Sequence, residues 1–215
     1  FRQLILLRNK TLFYYCKRSN LFYAAQGSKK IYFFSRLRQL RLYSRGLLRR
    51  LNLLSKDYFL EEINFKKGDY VVDCGANIGE LYQCLQYNQN ELNYIAFEPS
   101  DDEYQCLKKN IKGQKCFNIA LSNSSGIKDF YLSSEKADSS LIKPITFTKK
   151  ISKKTGRLDE ILPKIPIKFL KIEAEGFELE VLEGCSEILK NIDYIAADLG
   201  PERGVNLEVT YNTVV

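Results

Sequence analysis

The sequence contains no histidine and no methionine. Without an imidazole, any general base must be a carboxylate, a lysine or a tyrosine. The six cysteines, at 16, 74, 84, 106, 116 and 185, form no C-x-x-C pair, and no histidine is there to complete a mixed set, so no metal site is expected. Cys74, Cys84 and Cys185 fall among apolar positions, which reads as buried reduced thiols and a cytoplasmic setting. No apolar run approaches the roughly 18 residues that span a bilayer, because bases interrupt "LILL" and "LFYYC". The apolar core and small-residue cleavage site of a secretory signal are not visible either. Methionine is missing even at position 1 and the pattern is already running at Phe1, so the expectation is a piece of a longer chain, cut at both ends.

Acid is absent from one region only. Residues 1–56 hold 14 Lys or Arg and no Asp or Glu, whereas the rest of the chain carries the other 19 bases and all 26 acids. The net charge of +7 is therefore a local property. Leu37, Leu40, Leu47, Leu51 and Leu54 recur at three-, four- and seven-residue intervals between arginines, which predicts a basic helical segment over 1–56, broken near Gly46. Three uses fit such a segment, in decreasing order of preference: a lid over a site, a contact with an anionic membrane surface at the inner face of the membrane, and a track for nucleic-acid phosphates.

From residue 57 to 215 the pattern changes. Short apolar strands are expected near 69–74, 93–97, 115–119, 167–173 and 192–198, with amphipathic helices near 78–88, 101–111 and 177–190. Strands of this kind between helices imply a mostly parallel sheet in a doubly wound α/β domain. The alternation lapses between about 120 and 165, where strand-like pieces at 128–132 and 145–151 sit in a polar insertion of a length that more often serves a site than a mere connection.

In open α/β sheets the first strand–loop–helix turn usually holds the ligand. Here it reads "VVDCGANIGE", with Asp73, Gly75, Asn77 and Gly79 in the turn. The glycines allow close backbone approach, and the amides that open the helix offer donors. A dinucleotide fingerprint would be G-x-G-x-x-G without a carboxylate beside the pyrophosphate. D-x-G-x-x-x-G instead suits a ligand with a cation near Asp73 and a modest anion near the helix start, as in the amino-acid end of S-adenosylmethionine. Glu98, in "AFEPS", lies 25 residues beyond Asp73 and would accept from ribose hydroxyls, as an acid about 20 residues on does in ribose-binding folds.

Together "VDCGANIGE", "FEPS", "NIALS" at 118–122, "RLDEIL" at 157–162 and "FLKIEAEGFELEVLEG" at 169–184 resemble the motifs of the FkbM-type family of S-adenosylmethionine-dependent methyltransferases, in the same order and over about 70–212. The resemblance implies a class I methyltransferase, Rossmann-like fold with S-adenosylmethionine as cofactor. It places Asp73, Gly75, Ala76, Asn77, Gly79, Glu98, Pro99, Asn118 and Ala120 around that cofactor. Its sheet would have seven strands, the last two without a counterpart here. Glu173 and Ala174 stand where the family usually has Asp and a β-branched residue. The ends of the fourth and fifth strands face the reactive end of the cofactor in this fold, which nominates Glu173 first, Asp198 second, and Glu175 as bases. Glu175 reads equally as a helix-start acid, and Asp198 as a turn cap. Arg203 is a candidate clamp for an anionic group of the acceptor, and Ser139 and Ser140 for the mouth of the site. Family acceptors are hydroxyls of sugars, glycans and natural products, so the reading is O-methylation of a small-molecule or glycan acceptor. The alternatives are an inactive methyltransferase-like scaffold with a basic RNA- or membrane-binding arm, and a nucleotide-cofactor oxidoreductase.

Overall fold

A computed structural model describes residues 2–8, 10–34, 36–86, 91–133, 139–162 and 164–211 of the chain. The chain compacts into two units. One comprises Phe1–Lys67, Asn77–Glu91 and Asp101–Gln114; the other comprises Gly68–Ala76, Leu92–Ser100 and Lys115–Val215.

The first unit corrects the expectation of helices throughout 1–56. It opens with four antiparallel strands in sequential order, β1 (Arg2–Arg8), β2 (Thr11–Cys16), β3 (Leu21–Gln26) and β4 (Lys29–Phe33), and only then turns helical in α1 (Arg36–Leu42) and α2 (Leu47–Asp57). The segment is rich in Tyr and Phe, which suit a pleated surface better than a helix. Lys10, Asn20 and Gly27 take positive φ between consecutive strands, where each chain reversal needs it. Tyr14 pairs with Tyr23 and Tyr23 with Tyr32 across the ladder, and their ring centroids lie 4.8 and 5.4 Å apart. On the opposite face Phe13, Ala24 and Ile31 are aligned and fully buried. The expected leucine stripe holds in α2, where Leu47, Leu51 and Leu54 are buried. Gly46 has no side chain to cap that helix, and the strands supply the missing acceptors: Leu47 N donates to Thr11 Oγ1 at 3.0 Å and Leu48 N to Gln26 Oε1 at 3.1 Å.

Two helices that follow strands in sequence belong to the same unit, α3 (Glu80–Leu85) and α4 (Asp101–Asn110). Asn110 copies a strand partner, accepting from Tyr32 N at 2.7 Å and donating to Tyr32 O at 2.8 Å and Ile78 O at 2.6 Å. Glu80 accepts from Tyr43 Oη at 2.9 Å and from Arg50 at 3.3 Å.

In the second unit β5 (Tyr70–Cys74), β6 (Asn93–Phe97) and β7 (Lys115–Phe117) are followed by β8 (Ala120–Leu121), β9 (Gly126–Leu132), β10 (Lys149–Gly156), α5 (Leu158–Ile161), β11 (Ile167–Ile172), α6 (Glu178–Glu183), β12 (Ile192–Ala197), β13 (Pro201–Arg203) and β14 (Glu208–Val209). Five of these strands form a parallel sheet in the order β12-β11-β5-β6-β7, as a Rossmann-like methyltransferase requires of its first five. The expected lead-in to two further strands appears, among the described residues, as the separate antiparallel pair β13–β14. The insertion is built as a three-stranded sheet, with β10 between β8 and β9.

Register sorts the sheet's side chains. Val72, Cys74, Ile95, Phe97, Leu170 and Ile172 share one face and pack with Leu158, Leu162 and Val181. Asp73 and Lys171 lie directly opposite one another on the other face, with Tyr94 diagonal to them. The helix expected over 177–190 runs only from Glu178 to Glu183 and is capped by Gly184, where a Cβ would stand 2.1 Å from Ser122 O; turns and a short 3-10 segment, Leu189–Asn191, complete the stretch.

Candidate functional site

The ends of β5, β6 and β11 are stitched together by backbone. Gly75 N and Ala76 N both donate to Phe97 O at 3.0 Å, Glu98 N donates to Phe117 O at 3.0 Å, and Glu173 N to Cys74 O at 3.1 Å. Two of the loop amides expected to face a ligand are thus spent on β6. Gly75 has φ +70, and a Cβ on it would stand 1.9 Å from Glu173 O, so this loop and the end of β11 approach as closely as backbones can. In the first unit Asn77 and Gly79 continue the turn with φ of +50 and +87.

Why the chain places a carboxylate before that glycine turn is answered by a residue that sequence reasoning passed over. Lys171 is 3% exposed, and its ammonium lies 3.1 Å from Asp73 Oδ1, 2.8 Å from Glu173 Oε2, 2.7 Å from Gly75 O and 3.3 Å from Cys74 O. Tyr94 Oη donates to Asp73 Oδ2. Asp73 is thus a buried counter-ion at 1% exposure. Burial pushes its carboxyl above the usual range, against the pull of Lys171 and Tyr94. Oδ1 faces the ammonium and Oδ2 the tyrosine hydroxyl, so both oxygens of this carboxylate are engaged inside the protein. Glu173 is the outward member of the group, its side chain 38% exposed. The available signal was a lysine between Leu170 and Ile172 in an apolar parallel strand, since lysine is almost never fully buried without a partner.

Glu98 is buried, and its Oε1 accepts from Ser100 N at 2.7 Å. Asn118 Nδ2 donates to Glu98 O at 2.9 Å and Pro99 O at 3.1 Å, and Asn118 Oδ1 accepts from Lys153 at 3.3 Å, so the "FEP" and "NIALS" motifs form one structural piece. Ala120 is buried in β8.

The loop after β11 is strained: Glu175 has φ +53 and Gly176 φ +90. Glu178, Ser140 and Arg203 hold it. Glu178, which was not among the expected site residues, is fully buried and accepts from Ala174 N at 2.8 Å and Gly176 N at 3.2 Å through Oε1, while Oε2 has no partner among the described residues. Its burial raises its pKa; those amides oppose the shift, and the nearby Asp198 charge adds to it. Ser140, buried in the insertion, donates to Glu175 O at 2.8 Å and accepts from Ile142 N at 3.1 Å, so the insertion does reach this loop. Ser139 is spent within the insertion, accepting from Ser133 N at 3.0 Å.

The remaining candidates have local partners. Asp198 is exposed and its Oδ1 accepts from Gly200 N at 3.2 Å, the turn-cap geometry. Arg203 makes a bidentate pair with Glu180 at 2.6 and 2.9 Å and donates to Gly176 O at 2.7 Å, clamping the strained loop. In "RLDEIL" Arg157 forks onto Asp159 at 2.9 and 2.6 Å and donates to Asn123 O and Glu183 O, a structural clasp.

Among the described residues no cluster of cysteine and carboxylate ligands suits a metal, and no helix is long and apolar enough to cross a membrane. Residues 73–213 match the family model described as the Methyltransferase FkbM domain. Over 172 residues the chain is 26% identical to the protein named Methyltransferase sdnD of Sordaria araneosa, covering 61% of this chain and 66% of that protein, just under two thirds of its length.

Proposed function

The chain belongs to the FkbM methyltransferase family, and on that premise we propose that it transfers a methyl group from S-adenosylmethionine to a hydroxyl of a sugar, glycan or natural product. The observation that carries this reading is the placement of Asp73, Glu98 and Glu173 at the carboxyl ends of three adjacent parallel strands, with Lys171 pairing Asp73 and Glu173 and Ser100 N holding Glu98. The cofactor's ribose fits the donor set: the buried Glu98 carboxylate, oriented through Oε1 by Ser100 N, stands at the carboxyl end of β6, whose last carbonyl is held by the amides of the glycine turn. Gly75, Ala76, Glu98, Pro99, Asn118 and Ala120 would hold it, Glu98 presenting to the ribose a carboxylate oriented by Ser100.

When bound, the cofactor supplies an electrophilic methyl on a sulfonium. The protein aligns the acceptor oxygen in line with that carbon and excludes water. Glu173, the exposed arm of the buried triad, would take up the proton of the acceptor hydroxyl, while Lys171 fixes its position. Asp198 is the second choice for the base and Glu175 the third; Arg203 and Ser140 support the strained loop that carries Glu175. The oxidoreductase alternative requires NAD to bind. Titration calorimetry tests the reading: S-adenosylmethionine and S-adenosylhomocysteine should bind and NAD should not. Binding of NAD alone overturns it, and binding of none of the three favours the inactive scaffold.

A further inference from the structure

One face of the insertion answers to none of this chemistry. In the β9–β10 ladder Ile127 pairs with Lys154, Asp129 with Ser152 and Tyr131 with Lys150, so these six side chains share a face. The opposite face is turned inward, with Phe130, Lys153 and Thr155 buried. On the outward face Ile127 is 73% exposed, and the loop that leads into β10 adds Ile145 at 60% and Phe147 at 39%, Phe147 standing edge-on to Tyr131 at 5.0 Å. Ile127 stands at one end of β9 and the Phe147–Tyr131 contact near the other, so large apolar side chains lie open along the length of this face.

Charge marks the same surface. Residues 139–157 contain six Lys or Arg and no acid. Lys150 and Lys154 lie on this face of the ladder, and Lys143 lies in the loop that leads into it. Among the described residues of the face the acid is Asp129, which is paired with Lys150 at 3.0 Å, and both are half exposed. A solvated lysine face needs no isoleucines, and an apolar protein interface is ordinarily depleted of lysine. Nucleic acid would reward lysine and stacked aromatics but gives aliphatic side chains nothing to contact. Lysines around exposed Ile and Phe match the two terms that hold a peripheral protein on a charged bilayer, attraction to anionic headgroups and insertion of apolar side chains at the acyl boundary.

We propose that the outward face of β9–β10, with the loop around Ile145 and Phe147, is a docking surface for an anionic lipid membrane. This surface is separate from the basic segment 1–56 and lies on the insertion whose Ser140 holds the loop after β11. The proposal stands apart from the identity of the cofactor.

Flotation of the full chain with vesicles tests it. The chain should float with vesicles of phosphatidylcholine containing phosphatidylglycerol, fail to float with phosphatidylcholine alone, and be released at high salt. Lys143→Glu combined with Lys154→Glu should lower partitioning about tenfold or more, each lysine near the surface contributing a several-fold factor. Ile127→Ser combined with Ile145→Ser should lower it to a comparable extent while net charge is unchanged. All four positions are exposed, and an unchanged thermal midpoint shows that the fold is kept. Undiminished flotation of both double variants overturns the proposal. So does a loss confined to the lysine variant together with tight binding of a single-stranded oligonucleotide, which would assign the surface to nucleic acid.

Discussion

The two units bury charge in opposite ways. In the first, Glu80 meets Arg50 and Tyr43 where the arginine and glutamate side chains are 26% and 16% exposed, so water still reaches the pair and the contact fastens one helical stretch to another. In the second, Lys171 and Asp73 are 4% and 1% exposed, and the ammonium is shared with Glu173 and with two carbonyls of the glycine turn. A half-wet pair contributes little and is easily replaced. A dry one is costly to break and rarely the best route to stability alone, which makes a positional role the better account of it. The difference separates the part of the chain that is held by packing from the part where geometry matters for chemistry.

The sharpest way to break that contrast is to remove one cation from each unit. Lys171→Met should destabilise the protein by about 3 to 5 kcal/mol, because Asp73 stays buried without its counter-ion. Arg50→Met should cost about 1 kcal/mol or less. Urea unfolding measures both, and a second change, Asp73→Asn, should recover part of the first loss but little of the second. Equal losses from the two single variants would mean that the triad is no drier than the surface pair.

A comparison of glycines sharpens the same point with a smaller effect. Gly27 and Gly75 both have positive φ, at +59 and +70, so an alanine at either pays the left-handed penalty of about 1 to 2 kcal/mol. At Gly27 nothing lies within 4 Å of the added Cβ, whereas at Gly75 Glu173 O stands 1.9 Å away. Gly75→Ala should therefore lose roughly another 1 to 3 kcal/mol in overpacking and weaken S-adenosylhomocysteine binding at least tenfold, while Gly27→Ala leaves binding unchanged. Thermal unfolding and calorimetry on the two variants decide it.

What was legible in the sequence follows the same division. The parallel strands were readable within a residue or two because "YVVDC", "NYIAF" and "IKFLKI" are apolar runs bounded by turns. The β1–β4 meander was missed because the helical spacing of Leu37 to Leu54 was extended over the whole acid-free segment, and the true signal, aromatic residues paired across strands such as Tyr14 with Tyr23, becomes visible only once the register is known. Asp73 stood out as a carboxylate before a glycine, but its partner did not. Lys171 is 98 residues away in sequence, and only the alignment of β5 with β11 sets the two side by side. Glu178 was hidden for a different reason: in "EGFELEVLEG" it is one acid among several, and only its complete burial sets it apart.

Glu178 carries the smallest effect and the one with a sign to check. Its carboxyl is raised above the ordinary value of 4.5, chiefly by burial, so the folded protein holds this proton more tightly than the unfolded chain does. Stability from this group is present in full below about pH 4.5 and falls as pH rises from there through the raised folded value, beyond which it is flat. Glu178→Gln keeps the Oε1 acceptor for the amides of Ala174 and Gly176 but cannot ionise. Its thermal midpoint relative to the parent should improve as pH is taken from 4.5 toward neutrality, by an amount worth about 1 kcal/mol per unit of raised pKa. Asp73, raised in the same direction, keeps its own pH dependence in both proteins and cancels from the difference. A difference that is constant with pH would mean that Glu178 is as easily ionised in the folded protein as in water, and that the strained loop after β11 rests on a carboxylate rather than on a buried neutral acid.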